Sequence, residues 1–279
     1  MSAPVPEIPL DLRAEVRRAV ASLDHESRDS GSMTSDLSID EELNLHSIGW
    51  EPVALVSGVS VFSVPVGCWN WGQGEIAVAS AAQAHAFHHA ITRIHTEAAN
   101  VGGHGVVGVH IERLVYSTHI EVSLVGTAVR PVGAGAINGS GIFVSDLSAR
   151  DFTLLMIAGW EPLGLATGAS FVFAPRRSVA TVLQQQSQNV ELTNFTEAMY
   201  SARESAMERM QQSALAMHGT GVVEVKVVEG PMRFAGHAVG FVAVGTVVRL
   251  AKTTHQLIHP TMVVSLNDQN VAFDAQTLA

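Results

Sequence analysis

Apolar residues recur along the chain with two different periods, and the elements they predict come round twice. Val53 to Val64 is rich in Val and Phe and reads as a strand, broken by the tight pair Ser57-Gly58. The spacing then changes. Ile76, Phe87, Ile91, Ile94, Ala98 and Val101 fall every three or four residues, which predicts a helix over 76–101 that Gly102-Gly103 ends. Two Val-rich runs follow, 105–114 and 117–129, close enough to form a hairpin. The same order returns as a strand over 163–173 holding Thr167-Gly168, a helix over 192–217, and runs over 221–229 and 234–249. Phe195, Met199, Ala206, Met210, Ala214 and Met217 form the buried stripe of that second helix. Towards the ends, Leu12, Val16, Val20 and Leu23 predict a short amphipathic helix over 10–23, and 261–266 could add a strand to its own sheet or to a neighbour's edge.

Short motifs recur with the pattern. Ser35-Asp36-Leu37-Ser38 returns as Ser145-Asp146-Leu147-Ser148, and Gly49-Trp50-Glu51-Pro52 as Gly159-Trp160-Glu161-Pro162, both at an offset of 110. Gly105-Val106-Val107 matches Gly221-Val222-Val223, and Gly126-Thr127-Ala128-Val129-Arg130 matches Gly245-Thr246-Val247-Val248-Arg249. The expectation is an α+β chain of two homologous repeats, each a small antiparallel sheet with one long helix packed on it. Its segments are an N-terminal arm (1–32), repeat 1 (33–132), a Gly-rich linker (133–141), repeat 2 (142–252) and a C-terminal arm (253–279). What recurs is apolar residues and glycines, which specify architecture better than chemistry.

Composition narrows the classes. Only 15% of residues are charged and 47% are apolar, so part of the outer surface is expected to lie under other subunits. A formal charge of -10 without a Lys/Arg cluster argues against nucleic-acid binding, which draws its affinity from neutralised phosphates. Cys68 stands alone, which leaves no intrachain disulfide and no thiolate zinc site and fits a reducing cytoplasm. Neither an export signal nor an apolar run long enough for a membrane span is expected.

The stretch from Glu97-Ala98-Ala99 through Gly105-Val106-Val107-Gly108-Val109 to Val122-Ser123-Leu124-Val125-Gly126-Thr127-Ala128-Val129 resembles the YbjQ-like family. The likeness covers roughly 40–131 and 150–250 and is more specific in the first copy. It implies α+β units assembled into rings, often pentamers, and a heavy-metal-binding label. The family's Ser-Gly-Glu stands here as Ser57-Gly58-Val59 and Thr167-Gly168-Ala169, so both copies have lost the carboxylate.

Candidate chemistry is confined to the first copy, which holds eight of the thirteen histidines between His46 and His119. On a helical wheel His85, His88, His89 and His95 all avoid the core stripe. His85 with His88 or His89 has the spacing at which two imidazoles chelate zinc, nickel or copper, although a third ligand is missing. The alternative is an outward face, and Ala81, Thr92 and Thr96 suggest one packed on another subunit. Glu204 and Gln211 stand where the second copy would repeat His88 and His95. If Val115-Tyr116 is the hairpin loop, His110 lies opposite Glu121 and His119 opposite Glu112, which could serve a metal or a proton, or be plain surface pairing. Gly72-Gln73-Gly74 lacks the rest of a phosphate loop, and Cys68, Trp69 and Trp71 could line an apolar pocket or fill an interface.

Three readings follow. One is a non-enzymatic ring-forming protein that binds a transition metal or small ligand through His85, His88, His89, His95, His110 and His119. Another is an interaction scaffold without ligand, the histidines lying at subunit interfaces. An acid/base enzyme comes last, for want of a nucleophile or cofactor motif. The expected assembly is a homo-oligomer, a stacked pentamer of chains being the preferred form.

Overall fold

Ser38 and Ser148 each close the N-terminus of a short helix that hydrophobic periodicity alone did not predict. Ser38 Oγ accepts from the Glu41 N–H while Glu41 reaches back to the Ser38 N–H at 2.9 Å, a full capping box. Ser148 Oγ accepts from the Asp151 N–H at 3.1 Å. The computed structural model describes residues 34–64, 74–116, 118–134, 141–175, 177, 189–231, 237–251, 262–264 and 272–274. Ser35–Ala279 cohere as one compact unit.

Among the described residues the order is α1 (Ile39–Ser47), β1 (Trp50–Ser63), β2 (Gly74–Glu75), α2 (Ala77–Asn100), β3 (Gly105–Val115) and β4 (His119–Pro131). Then come β5 (Phe143–Val144), α3 (Ala149–Ile157), β6 (Trp160–Phe173), α4 (Thr193–Ala216), β7 (Gly221–Pro231), β8 (Ala238–Leu250), β9 (Met262–Val264) and β10 (Ala272–Asp274). The fold is α+β. Both long helices start and stop within a residue of the expectation, because Gly102 (φ +75°) lets the chain leave the first and their apolar stripes define the rest.

Two four-stranded sheets result, in the orders β1-β4-β3-β5 and β2-β6-β8-β7. Each borrows a strand. β5, from the second half, pairs parallel with β3, so the first sheet is not purely antiparallel as expected; β2, from the first half, pairs antiparallel with β6. The long pairs β1–β4 and β6–β8 share a one-residue slip, at Pro52/Ala54 and at Pro162/Gly164, where proline cannot donate to a ladder. The recurrent Gly-Trp-Glu-Pro and the distant arginines meet across these pairs: Glu51 binds Arg130 at 2.7 Å and Glu161 binds Arg249.

β1 is unbroken at Ser57-Gly58, contrary to the expected interruption. Gly58 is needed there by the helix, since a Cβ would fall 2.2 Å from the Ala90 carbonyl oxygen. α2 packs through Ala86, Phe87, Ala90, Ile94 and Ala98 on its own sheet and also meets β6, so the main core joins residues of both halves, Phe171 among them. The predicted terminal strand exists as β9, but it pairs with β10 rather than extending either sheet. The predicted N-terminal helix lies outside the described residues.

Candidate functional site

α2 carries the histidine face as the wheel places it. His85, His88 and His89 are exposed and His95 is half-buried. The Phe62 ring stacks with both His85 and His89, at centroid distances of 5.4 and 6.1 Å, and His88 meets His89 edge-on at 5.8 Å. His88 and His95 line a shallow cavity of about 430 Å³ with Ile91, Thr92 and Ala99. Burial pushes the His95 pKa below its ordinary value, because a charged imidazole loses solvation there. The face is thus aromatic and apolar between its imidazoles.

The hairpin departs from the expected register. β3 continues to Val115, Tyr116 N–H closes on the His119 carbonyl at 2.9 Å, and the turn comes two residues later than assumed. His110 therefore faces Val125 and Glu112 faces Ser123, while Leu114 stands opposite Glu121, so neither expected His-Glu pair forms. The faces themselves are as read: Val109, Ile120 and Val122 are buried, His110 and Glu112 exposed. His119 stacks on Tyr116 at 4.5 Å and its Nδ1 lies 3.0 Å from Thr118 Oγ1.

The structure instead gathers polar groups where the two halves meet. Asp146 is buried; its Oδ1 accepts from Thr246 Oγ1 at 2.7 Å, and Lys226 Nζ lies 3.2 Å from Oδ2. Burial works against the Lys226 ammonium, but Asp146 and Glu224 outweigh it and raise its pKa. These groups line a polar cavity of about 330 Å³ with Asp36, Glu41 and His110. On the other side of the junction Glu75, beside β6, takes two hydrogen bonds from Arg209 of α4, one at 2.8 Å from Nη2 to Oε2. Arg209 Nη1 also donates to the Ala169 carbonyl at 2.6 Å. The Arg209 bonds hold the Glu75 carboxyl below its ordinary pKa. Sequence reading passed over both Glu75 and Arg209. The available signal was their recurrence as Glu191 and Arg93 at an offset of 116.

No cluster of three or more His, Cys, Asp or Glu disposed to hold a metal occurs among the described residues. Two neighbouring imidazoles fall short of the three protein ligands a transition ion ordinarily takes, so the donors of one chain do not by themselves fit a resident metal. Cys68, Trp69, Trp71, Gly72 and Gln73 lie outside the described residues. No helix among those described is long and apolar enough to cross a membrane.

Over 226 residues, 78% of this chain and 86% of the relative, the sequence is 35% identical to "Encapsulin nanocompartment protein Rv1762c" of Mycobacterium tuberculosis (strain ATCC 25618 / H37Rv). The chain belongs to that family. Residues 177–251, which span α4, β7 and β8, also match the YbjQ family model described as "Putative heavy-metal-binding". That match falls in the second half, although the resemblance read from the sequence was more specific in the first. In this member of the encapsulin nanocompartment protein's family the buried polar groups gather at the junction of the two halves.

Proposed function

We propose that this chain is a non-enzymatic assembly protein, a homo-oligomeric component of a protein compartment, built as a tandem duplication of a YbjQ-type unit. The units run over 33–132 and 142–252, joined by the Gly-rich 133–141. The observation that carries the reading is the reciprocal loan of strands, in which β2 of the first half completes the sheet of the second and β5 of the second completes the sheet of the first. Such a junction binds like to like side by side. It favours a ring in which the two units alternate over the stacked pentamer expected from the sequence. The name of the relative at 35% identity supports the compartment role.

The histidine face suits a second role. His85 with His88 or His89 offers two exposed donors on one helix of each chain, and a third donor from a neighbouring chain would complete a site for zinc, nickel or copper. Without that donor they are interface residues.

The test is light scattering and negative-stain microscopy on the tag-free chain, with elemental analysis of the same fraction before and after mild chelation. Discrete closed particles of many chains are expected. A single-chain mass at all concentrations sinks the assembly reading. Near-stoichiometric metal that disappears in the His85→Gln/His88→Gln/His89→Gln variant establishes the second role, and particles unable to take up metal remove it.

A further inference from the structure

Among the described residues each sheet has one covered edge and one open one. In the first sheet β5 covers β3 and leaves β1 bare; in the second β2 covers β6 and leaves β7 bare. The bare edges are the counterparts of the covered ones. An edge strand with unpaired N–H and C=O groups and apolar side chains is a template for another strand.

The residues that make the covered junction are present a second time. Glu75, Ile76, Ser80 and Arg209 recur as Glu191, Leu192, Thr196 and Arg93. Arg93 donates to the Val59 carbonyl just as Arg209 does to that of Ala169. Thr196 Oγ1 donates to Glu191 Oε1 at 2.9 Å, as Ser80 serves Glu75. What differs is the ion pair: Glu75 meets Arg209, whereas among the described residues neither Glu191 nor Arg93 has an ion-pair partner. Burial differs in the same sense. Ile76 is 2% exposed and Leu192 40%; Phe171 is 1% exposed and its counterpart Val61 59%.

We propose that Glu191 and Leu192 of one copy of this chain dock on the β1 edge of a second copy, with Glu191 paired to the second copy's Arg93. The proposal rests on the assembly reading above. Following the β2–β6 register, in which Gly74 faces Phe173 and Glu75 faces Val172, Val190 comes opposite Ser63 and Glu191 opposite Phe62. The Val61 carbonyl then accepts from the Leu192 N–H, as the Phe171 carbonyl accepts from Ile76 at 2.7 Å.

The same contact engages the other arm in the reverse direction. Within the chain, the Leu147 and Ser145 carbonyls accept from Gly108 N–H at 2.7 Å and Val109 N–H at 3.1 Å, at a bulge where Gly108 has φ +64°. Glu224 holds the equivalent bulge on β7 at φ +52°, beside an exposed Val225, although it has a side chain and Gly108 has none. Leu37 and Ser35 of the second copy carry the matching carbonyls. A head-to-tail contact of this kind repeats from chain to chain and closes when its rotation closes.

Charge reversal tests the contact in the full-length chain. Arg93→Glu and Glu191→Arg should each lower the mass seen by light scattering towards that of a single chain, with an unchanged far-ultraviolet spectrum. The double variant Arg93→Glu/Glu191→Arg should restore it. In a Cys68→Ser background, mixed Ser63→Cys and Val190→Cys chains should give a two-chain disulfide product under mild oxidation. An oligomeric wild type whose mass survives both single reversals, and whose cysteine pair gives no cross-linked product, overturns the contact while leaving the assembly reading standing. A wild type that is a single chain at every concentration overturns both.

Discussion

Gly58 and Gly168 mark where a strand passes directly under a helix. A Cβ on Gly58 would lie 2.7 Å from the Ile94 nitrogen as well as against the Ala90 carbonyl, and one on Gly168 would lie 2.0 Å from the Ala206 carbonyl. Backbone cannot move aside as a flexible side chain can, so Gly58→Ala must push α2 off its sheet. A loss of about 3 kcal/mol is expected from such overpacking, read as a lower denaturant midpoint. The reading of Ser57-Gly58 as a break came from the rule that glycine weakens a strand. The competing demand, close approach of a helix, has no signature in local sequence, since it depends on Ala90 and Ile94 more than thirty residues away.

At the scale of elements, α2 presents different chemistry on its two faces. Its core face is as the periodicity indicated, while the opposite face holds the histidines, and burial pushes His95 to a lower pKa. The ordinary imidazole value is 6.5, and a folded value below it means that the unfolded chain binds the proton more readily. The contribution is fully present above pH 6.5 and is lost as pH falls through the folded value. His95→Gln, which installs the residue found at Gln211, should reduce the drop in urea midpoint between about pH 7.5 and about pH 5.5. An unchanged drop would show that His95 does not carry the pH sensitivity. The missed elements, α1, α3, β2, β5 and β10, are nine residues long or shorter. For α1 and α3 the serine caps were visible in sequence, but β2 and β5 exist only because the opposite half supplies an edge to pair with.

For the whole molecule, the Glu75–Arg209 bridge ties the two halves. Glu75→Gln leaves an acceptor for Arg209 but removes the charge. A loss of about 1 kcal/mol is expected for this partly exposed pair, seen in thermal or denaturant unfolding at neutral pH. The sign with pH follows from the depressed carboxyl. Stability from Glu75 is present above its ordinary value of 4.5 and is lost as pH falls through the lower folded value. The wild type should therefore lose stability in acid more steeply than the Glu75→Gln variant. A parallel fall in both would place the acid sensitivity elsewhere.

Sequence by itself determined the two long helices, the six long strands, their inward faces and the outward placing of the α2 histidines. Each of these follows from periodicity within one segment, where side-chain direction is set by the backbone repeat. It could not determine the hairpin register, because a turn placed two residues later re-pairs every cross-strand partner while leaving the faces unchanged. Nor could it place Asp146 beside Lys226, or Glu75 beside Arg209, since the partners of each pair lie on segments far apart in the chain. Only the tertiary structure decided that each half lends a strand to the other, because an edge becomes a binding surface only once the sheet that owns it has formed.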